Sequence, residues 1–273
     1  DGTATITPGV DPAEIEVTNG YDAGTLTVGK VVTGEGADLY GTGSFQFSAT
    51  CTYHGQTLLD EEFALRGGDT RTFGVFPAGT DCVVTEETTG GATSSTLDPE
   101  DGAVTIASPA EPGDISSVTV TATNVFDLAS FDVVKEREGN LLNPGAAGPF
   151  TVVAECTYLV DGEVTDLVVP GGAERELNAD NSFRTTYSDL PVGATCEVTE
   201  TDTGFADSTT VTIQTGDEST TTEGTTGTID LAGGDDTALV TVSNTFTAGE
   251  VSVTKTVSGT DADAHRSDVF AVT

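Results

Sequence analysis

The sequence predicts an all-β protein made of tandem β-sandwich domains arranged end to end. Composition is the first reason: Gly, Thr, Asp and Val dominate, there are 33 glycines, and Met and Trp are absent. No long apolar stripe at helical spacing occurs, so short strands and frequent turns are favoured. The second reason is a unit of about a hundred residues written twice in register. The third is the brevity of the joints, Asp127-Leu128-Ala129 and Thr247-Ala248-Gly249, which restricts freedom between units and favours a rod.

Residues 24–127 and 128–248 are the two complete units. The first contains Phe45-Gln46-Phe47-Ser48-Ala49-Thr50-Cys51-Thr52-Tyr53, the second Phe150-Thr151-Val152-Val153-Ala154-Glu155-Cys156-Thr157-Tyr158. The first then has Pro77-Ala78-Gly79-Thr80-Asp81-Cys82-Val83-Val84-Thr85-Glu86, matched by Pro191-Val192-Gly193-Ala194-Thr195-Cys196-Glu197-Val198-Thr199-Glu200. Each closes on an alternating strand, 118–124 and 240–244. Each unit should hold about seven short strands separated by Gly, Pro, Asn and Asp turns. Residues 1–23 read as the last strands of a preceding repeat, and residues 249–273 as the first strands of a following one. The Thr-rich stretch from Ser208 to Gly227 reads as a mobile hairpin or loop.

The formal charge is −36, from 45 acidic against 9 basic residues. Such a surface repels nucleic acid and anionic membrane, and no apolar run is long enough to span a bilayer, so neither nucleic-acid binding nor membrane insertion is expected. No calcium loop motif occurs; Gly233-Gly234-Asp235-Asp236 and Asp261-Ala262-Asp263 are weak signals, and no metal or cofactor is expected. The two histidines, His54 and His265, are not repeated and lack a hydrolase motif around them.

Four cysteines fall two per unit on apolar faces, which reads as Cys51–Cys82 and Cys156–Cys196 disulfides in an oxidising, extracytoplasmic setting. A thioester between Cys51 and Gln56 leaves Cys82 unexplained and has no counterpart in the second unit.

Three polar residues per unit break the apolar alternation. Lys30 follows Leu26 and Val28; Glu86 follows Cys82 and Val84; Asn124 follows Val120 and Ala122. The second unit repeats the set as Lys135, Glu200 and Asn244. The chain has only three lysines, and the third, Lys255, sits in a matching stretch, Val251-Ser252-Val253-Thr254-Lys255. Isolated buried charges are unstable, so Lys, Glu and Asn are best placed together in each core. A buried Lys–Glu ion pair capped by the Asn amide is one account of this.

In these residues and their order the chain resembles the Cna B-type, pilin-like β-sandwich repeats of Gram-positive, and particularly actinobacterial, cell-surface proteins. The resemblance implies an Ig-like sandwich. It also implies a self-formed isopeptide bond between first-strand Lys and last-strand Asn, assisted by a central-strand Glu. On that basis the cross-links are Lys30–Asn124 and Lys135–Asn244, with Glu86 and Glu200 as catalytic acids and Asn19 and Lys255 as orphan halves. Members of that group often have Pro and Gly-Tyr soon after the Glu; here Glu86 is followed by Glu87-Thr88-Thr89-Gly90. Glu86 and Glu87 both stand as candidates, with face parity favouring Glu86.

Burial lowers a lysine's pKa and raises a glutamate's, so the amine can act as a nucleophile. A protonated Glu can polarise the Asn carbonyl and shuttle the proton that lets ammonia leave. Each site turns over once, so the protein is read as a self-maturing structural stalk rather than an enzyme, on the surface of a cell and anchored to its wall through the parent protein. Its expected partners are neighbouring repeats of the same polypeptide. A module recognising a host or matrix ligand through loops or strand edges is the alternative, with such a ligand at a distal tip.

Overall fold

The computed structural model describes residues 20–111, 113–233, 238–249 and 251–269. It is all-β: four sheets form two sandwiches, one after the other along the chain. In repeat 1 the strands are β1 (Ala23–Thr33), β2 (Ser44–Tyr53), β3 (Gln56–Arg66), β4 (Thr70–Pro77), β5 (Asp81–Glu86), β6 (Ser94–Asp98), β7 (Ala103–Thr105) and β8 (Ile115–Val125). One sheet has the order β4-β1-β8-β6 and the other β3-β2-β5-β7.

Repeat 2 has β9 (Leu128–Gly139), β10 (Phe150–Val160), β11 (Glu163–Leu167), β12 (Glu174–Leu177), β13 (Arg184–Pro191), β14 (Thr195–Asp202), β15 (Ser208–Thr215), β16 (Glu218–Glu223), β17 (Thr226–Asp230) and β18 (Ala238–Phe246). One sheet runs β13-β9-β18-β15-β16; the other runs β11-β10-β14-β17, with β12 also pairing β10.

Both repeats thus hold more strands than the seven expected. In repeat 2 the strand matching β3 is split into β11 and β12 by the loop 168–173, and the Thr-rich stretch adds one. That stretch is a hairpin rather than a loop: β15 pairs β18 inside the sheet, and β16 is a fully exposed outer strand. Alternating Thr satisfies the pleat and makes cross-strand hydroxyl contacts such as Thr212–Thr221.

Alternation along the strands builds two separate cores. Leu26, Val28, Phe47, Val84, Val120 and Phe126 belong to the first, and Phe131, Phe150, Leu177, Val198, Val242 and Phe246 to the second. The disulfides join directly opposed residues on neighbouring strands, Cys51 with Cys82 on β2 and β5, and Cys156 with Cys196 on β10 and β14.

One pairing sets up the rest. The first and last strands of each repeat are adjacent and parallel: Ala23 lies beside Ile115 and Thr33 beside Val125, while β9 runs the same way along β18. A parallel first–last pair sends the chain in at one end of the sandwich and out at the other. Residues 251–258 are irregular and 260–267 form turns, without strand, where the sequence leads one to expect strands within 249–273. A first strand of this fold takes its hydrogen bonds from a last strand, and among the described residues none lies beside this segment. No helix among the described residues is long and apolar enough to cross a membrane.

Candidate functional site

β1 alternates so that Leu26, Val28 and Lys30 face inward, and β8 so that Val120, Ala122 and Asn124 do. Ala122 stands beside Lys30 and Asn124 beside Val32, an offset of two that keeps both side chains on one face. Repeat 2 has the same offset, with Val242 beside Lys135 and Asn244 beside Arg137. The glutamates come from the facing sheets, Glu86 at the end of β5 and Glu200 on β14. Each triad therefore closes across its sandwich.

The geometry repeats closely. Lys30 Nζ lies 2.7 Å from Glu86 Oε1, and Asn124 Nδ2 donates to the same oxygen at 3.1 Å. Lys135 Nζ lies 3.2 Å from Glu200 Oε1, to which Asn244 Nδ2 donates at 3.1 Å. The side chains of Lys30, Lys135 and Glu200 are 0% exposed and that of Glu86 3%, so water cannot screen these charges. One carboxyl oxygen thus bridges amine and carboxamide nitrogen in each repeat. The expectation that Glu polarises the Asn carbonyl is not met: the carboxyl lies against the amide nitrogen, and Asn124 Oδ1 and Asn244 Oδ1 are buried without a hydrogen-bond partner. The reason is topological, because the second amide hydrogen is drawn to a backbone carbonyl, Thr89 O at 3.1 Å or Thr203 O at 2.9 Å, and this turns the oxygen away.

The two sites differ in how their remaining atoms are satisfied. Ser95 Oγ donates to Glu86 Oε2 at 2.9 Å, whereas Glu200 Oε2 has no partner. Lys135 Nζ donates to Val242 O at 3.0 Å; Lys30 Nζ makes no well-angled hydrogen bond despite its close approach to Glu86. Burial lowers the pKa of Lys30, with Glu86 opposing the shift, and lowers that of Lys135 to about 8, with Glu200 opposing it. Burial likewise raises the pKa of Glu200 against the pull of Lys135 and Asn244. Burial in repeat 2 therefore pushes both ionisable groups toward their neutral forms.

Two features of the site went unread in the sequence. A phenylalanine covers each amine, Phe45 with its ring centroid 4.4 Å from Lys30 Nζ and Phe150 at 5.0 Å from Lys135 Nζ. A Thr-Gly turn supplies the carbonyl for each Asn: Thr89-Gly90 and Thr203-Gly204, both glycines at positive φ, +66° and +61°. A Cβ on either glycine would approach the covering ring to 3.1 Å. The signal was present as equal spacing, since each Phe follows its Lys by 15 residues and each Thr-Gly begins three residues after its Glu. The exposed Glu87 carboxylate accepts from Ser48 Oγ at 2.7 Å on the outer face, so Glu86 is the acid that reaches the site.

Asn19 lies outside the described residues. Lys255 is exposed and its Nζ donates to Asp268 O at 2.7 Å. Asp261 and Asp263 are turned toward His265 and Arg266, and Gly234, Asp235 and Asp236 lie outside the described residues. His54 is an exposed turn residue against the Tyr53 ring.

The lowered lysine pKa fixes the sign of a pH effect. In an Asn244→Ala chain the Lys135 amine has no carboxamide to react with. Its folded pKa of about 8 lies below its ordinary 10.5, so between those values the unfolded chain binds more protons and stability rises with pH. The raised Glu200 pKa acts in the opposite sense from its ordinary 4.5 upward, its stabilisation being lost as pH passes the folded value. Chemical denaturation of repeat 2 in this variant should show an increase of up to about 3 kcal/mol from pH 8 to above 10. A flat alkaline profile would contradict a desolvated amine.

A family described as "Domain of unknown function (DUF5979)" matches the chain twice, over residues 26–127 and 131–247. No curated protein matches it. Among solved structures, the major pilin of Streptococcus pyogenes is 14% identical, covering 85% of this chain and 100% of its own, with a TM-score of 0.43. The T-13 major pilin of the same organism is also 14% identical, covering 84% and 100%, with a TM-score of 0.45. A pilus-presented adhesin is 21% identical over 38% of this chain and 28% of its own, with a TM-score of 0.30.

Proposed function

We propose, from the premise that this chain belongs to the family described as Domain of unknown function (DUF5979), that its two sandwiches are load-bearing stalk repeats of an extracellular surface fibre. Each is locked by a self-formed Lys–Asn isopeptide bond. The observation that carries this reading is the pair of buried carboxamides. Both sites present an Asn carbonyl without a donor beside an amine whose pKa burial has lowered. A site made only for an ion pair leaves that oxygen unsatisfied at a cost of about 1–3 kcal/mol, twice over.

The chemistry follows from the bridging oxygen. The neutral amine of Lys30 or Lys135 attacks Cγ of Asn124 or Asn244, forming the new C–N bond. Glu Oε1 touches both nitrogens, so it takes the proton that the amine gives up and delivers it to Nδ2. The Cγ–Nδ2 bond breaks and ammonia leaves, with atoms and charge balanced. Thr89 O and Thr203 O hold the carboxamide in place, and burial keeps water from competing. Each site reacts once, so the chain is substrate and promoter together and not an enzyme. No cofactor or metal takes part.

The stalk role rests on the path of force. Tension entering at Ala23 runs up β1 to Lys30, crosses to Asn124 near the end of β8, and leaves through Phe126 and Asp127. Everything between, including the disulfide-closed sheet, lies off that path. Disulfides fit an extracytoplasmic setting, and a net charge of −36 keeps neighbouring fibres apart. Cell-wall anchoring belongs to the parent protein in this reading.

Intact mass is the test. Without reduction the chain should be lighter than its sequence by two ammonias and four hydrogens, and reduction should restore only the hydrogens. Glu86→Ala should retain the ammonia of repeat 1 alone. A chain at full sequence mass after reduction would leave only the buried ion pairs.

A further inference from the structure

The turn that orients Asn124 is itself held from outside repeat 1. The β10–β11 hairpin of repeat 2 turns at Asp161-Gly162, and its tip reaches back to the Thr89-Gly90 turn of the preceding sandwich. Asp161 Oδ1 accepts from Thr89 N at 2.6 Å, from Gly90 N at 3.0 Å and from Thr89 Oγ1 at 3.5 Å. Two successive backbone N–H groups aimed at one carboxylate oxygen form a charge-assisted clamp. Thr89 is therefore gripped on both sides of its backbone: its N–H by Asp161 and its C=O by Asn124 Nδ2.

Other features of the joint are built for this approach. The hairpin of repeat 2 is longer than its counterpart: the turn lies five residues past Cys156, against three past Cys51, where His54-Gly55 offers no carboxylate. Gly91 leaves room for it, since a Cβ there would stand 3.0 Å from both Leu159 O and the Tyr158 ring. In repeat 2 the residue at that position is Phe205, which is 95% exposed. Nearby, Tyr40 OH donates to Asp189 O at 2.6 Å, and the Tyr40 and Tyr158 rings meet edge to face at 5.9 Å.

We infer that Asp161 is a positioning residue for the cross-link of repeat 1, so that docking of repeat 2 completes the site in the domain before it. This rests on the isopeptide reading. A clamped Thr89 fixes the carbonyl that orients Asn124, and with it the angle between amine and carboxamide. In a chain synthesised from its N-terminus, repeat 1 would then close at full rate only after the hairpin of repeat 2 has folded against it. The two domains would mature in a coupled order, and the joint would be docked before the first lock sets.

The test uses the full chain made by cell-free synthesis, sampled over time, quenched, and analysed by peptide mass for ammonia loss in each repeat. Asp161→Gly removes the carboxylate without backbone strain, because Asp161 has φ +52°, a conformation glycine adopts freely. Ammonia loss in repeat 1 should slow about tenfold, in keeping with the penalty for a slightly misplaced reacting group. Repeat 2 should keep its wild-type rate, showing that it still folds. Asp161→Asn retains an acceptor oxygen and tolerates the same backbone, so it should restore most of the rate. In parallel, hydrogen exchange at the Thr89 and Gly90 amides should quicken in Asp161→Gly.

Faster exchange with an unchanged rate in repeat 1 would make the contact a docking device only and overturn the inference, as would unchanged exchange. A wild-type chain that keeps its ammonia in repeat 1 would instead overturn the cross-link reading, and the inference with it.

Discussion

Glu200→Ala should give the largest loss of stability of any single substitution in repeat 2. In the proposed chemistry the proton cannot pass from Lys135 to the leaving nitrogen without the carboxyl, so the bond between Lys135 and Asn244 would not form. The proposed bond would close a loop of more than a hundred residues, and a cross-link of that span contributes about 5 kcal/mol in the chain-entropy treatment. The same change leaves an amine with a 0% exposed side chain and no counter-charge, a defect that costs about 3–5 kcal/mol on its own. The two losses are separable. Asn244→Ala removes the cross-link and keeps the ion pair. Lys135→Met with Glu200→Leu removes both and leaves no buried charge. Chemical denaturation should therefore rank Glu200→Ala below the other two, which should lie close together. If all three unfold together, the buried charge has little weight; if Asn244→Ala equals the wild type, no covalent bond was present.

Removing the disulfide of repeat 1 should have the next largest effect. Cys51 and Cys82 close a loop of 31 residues, and Cys156 and Cys196 one of 40. In the chain-entropy treatment each contributes about 4 kcal/mol. If the proposed Lys30–Asn124 cross-link forms, part of that effect is hidden, since the cross-link would restrain the unfolded chain that encloses the smaller loop. Cys51→Ala with Cys82→Ala should therefore cost the full amount on an Asn124→Ala background and less on the wild type. All four cysteines are 4% exposed or less, so a mild reductant should yield no labelled thiol until denaturant is added. Labelling of the native protein would mean that the sheet opens locally around the bridges.

Much of the site could be read without coordinates, because strand alternation is a strict rule. A lysine two residues after a buried valine faces the same way, which is why Lys30, Glu86 and Asn124 could be assigned inward from spacing alone. The same rule separates Glu86 from Glu87. The cysteine pairs were legible for a similar reason, since both members lay on inner faces at matching places in two repeats. Strand number was less legible. The split of β11 from β12 and the addition of β16 are decisions made at a sheet edge, where local pattern is indifferent to whether a partner is present. Residues 251–269 lack strand for the same reason in reverse, a strand-like pattern having no described strand to pair with.

The sequence by itself determined which residues point into each core and that they recur in the same order, because one chain direction and a period of two are enough for that. Only the tertiary structure decided what those residues meet. The parallel pairing of first and last strands brings Lys to Asn, and packing of the second sheet carries Glu across to both. The Phe45 and Phe150 rings, the Thr89 and Thr203 carbonyls and the reach of Asp161 into the neighbouring repeat all join positions tens of residues apart. Contacts of that range come from the closing of a sandwich and the docking of one domain on the next, and no local pattern encodes them.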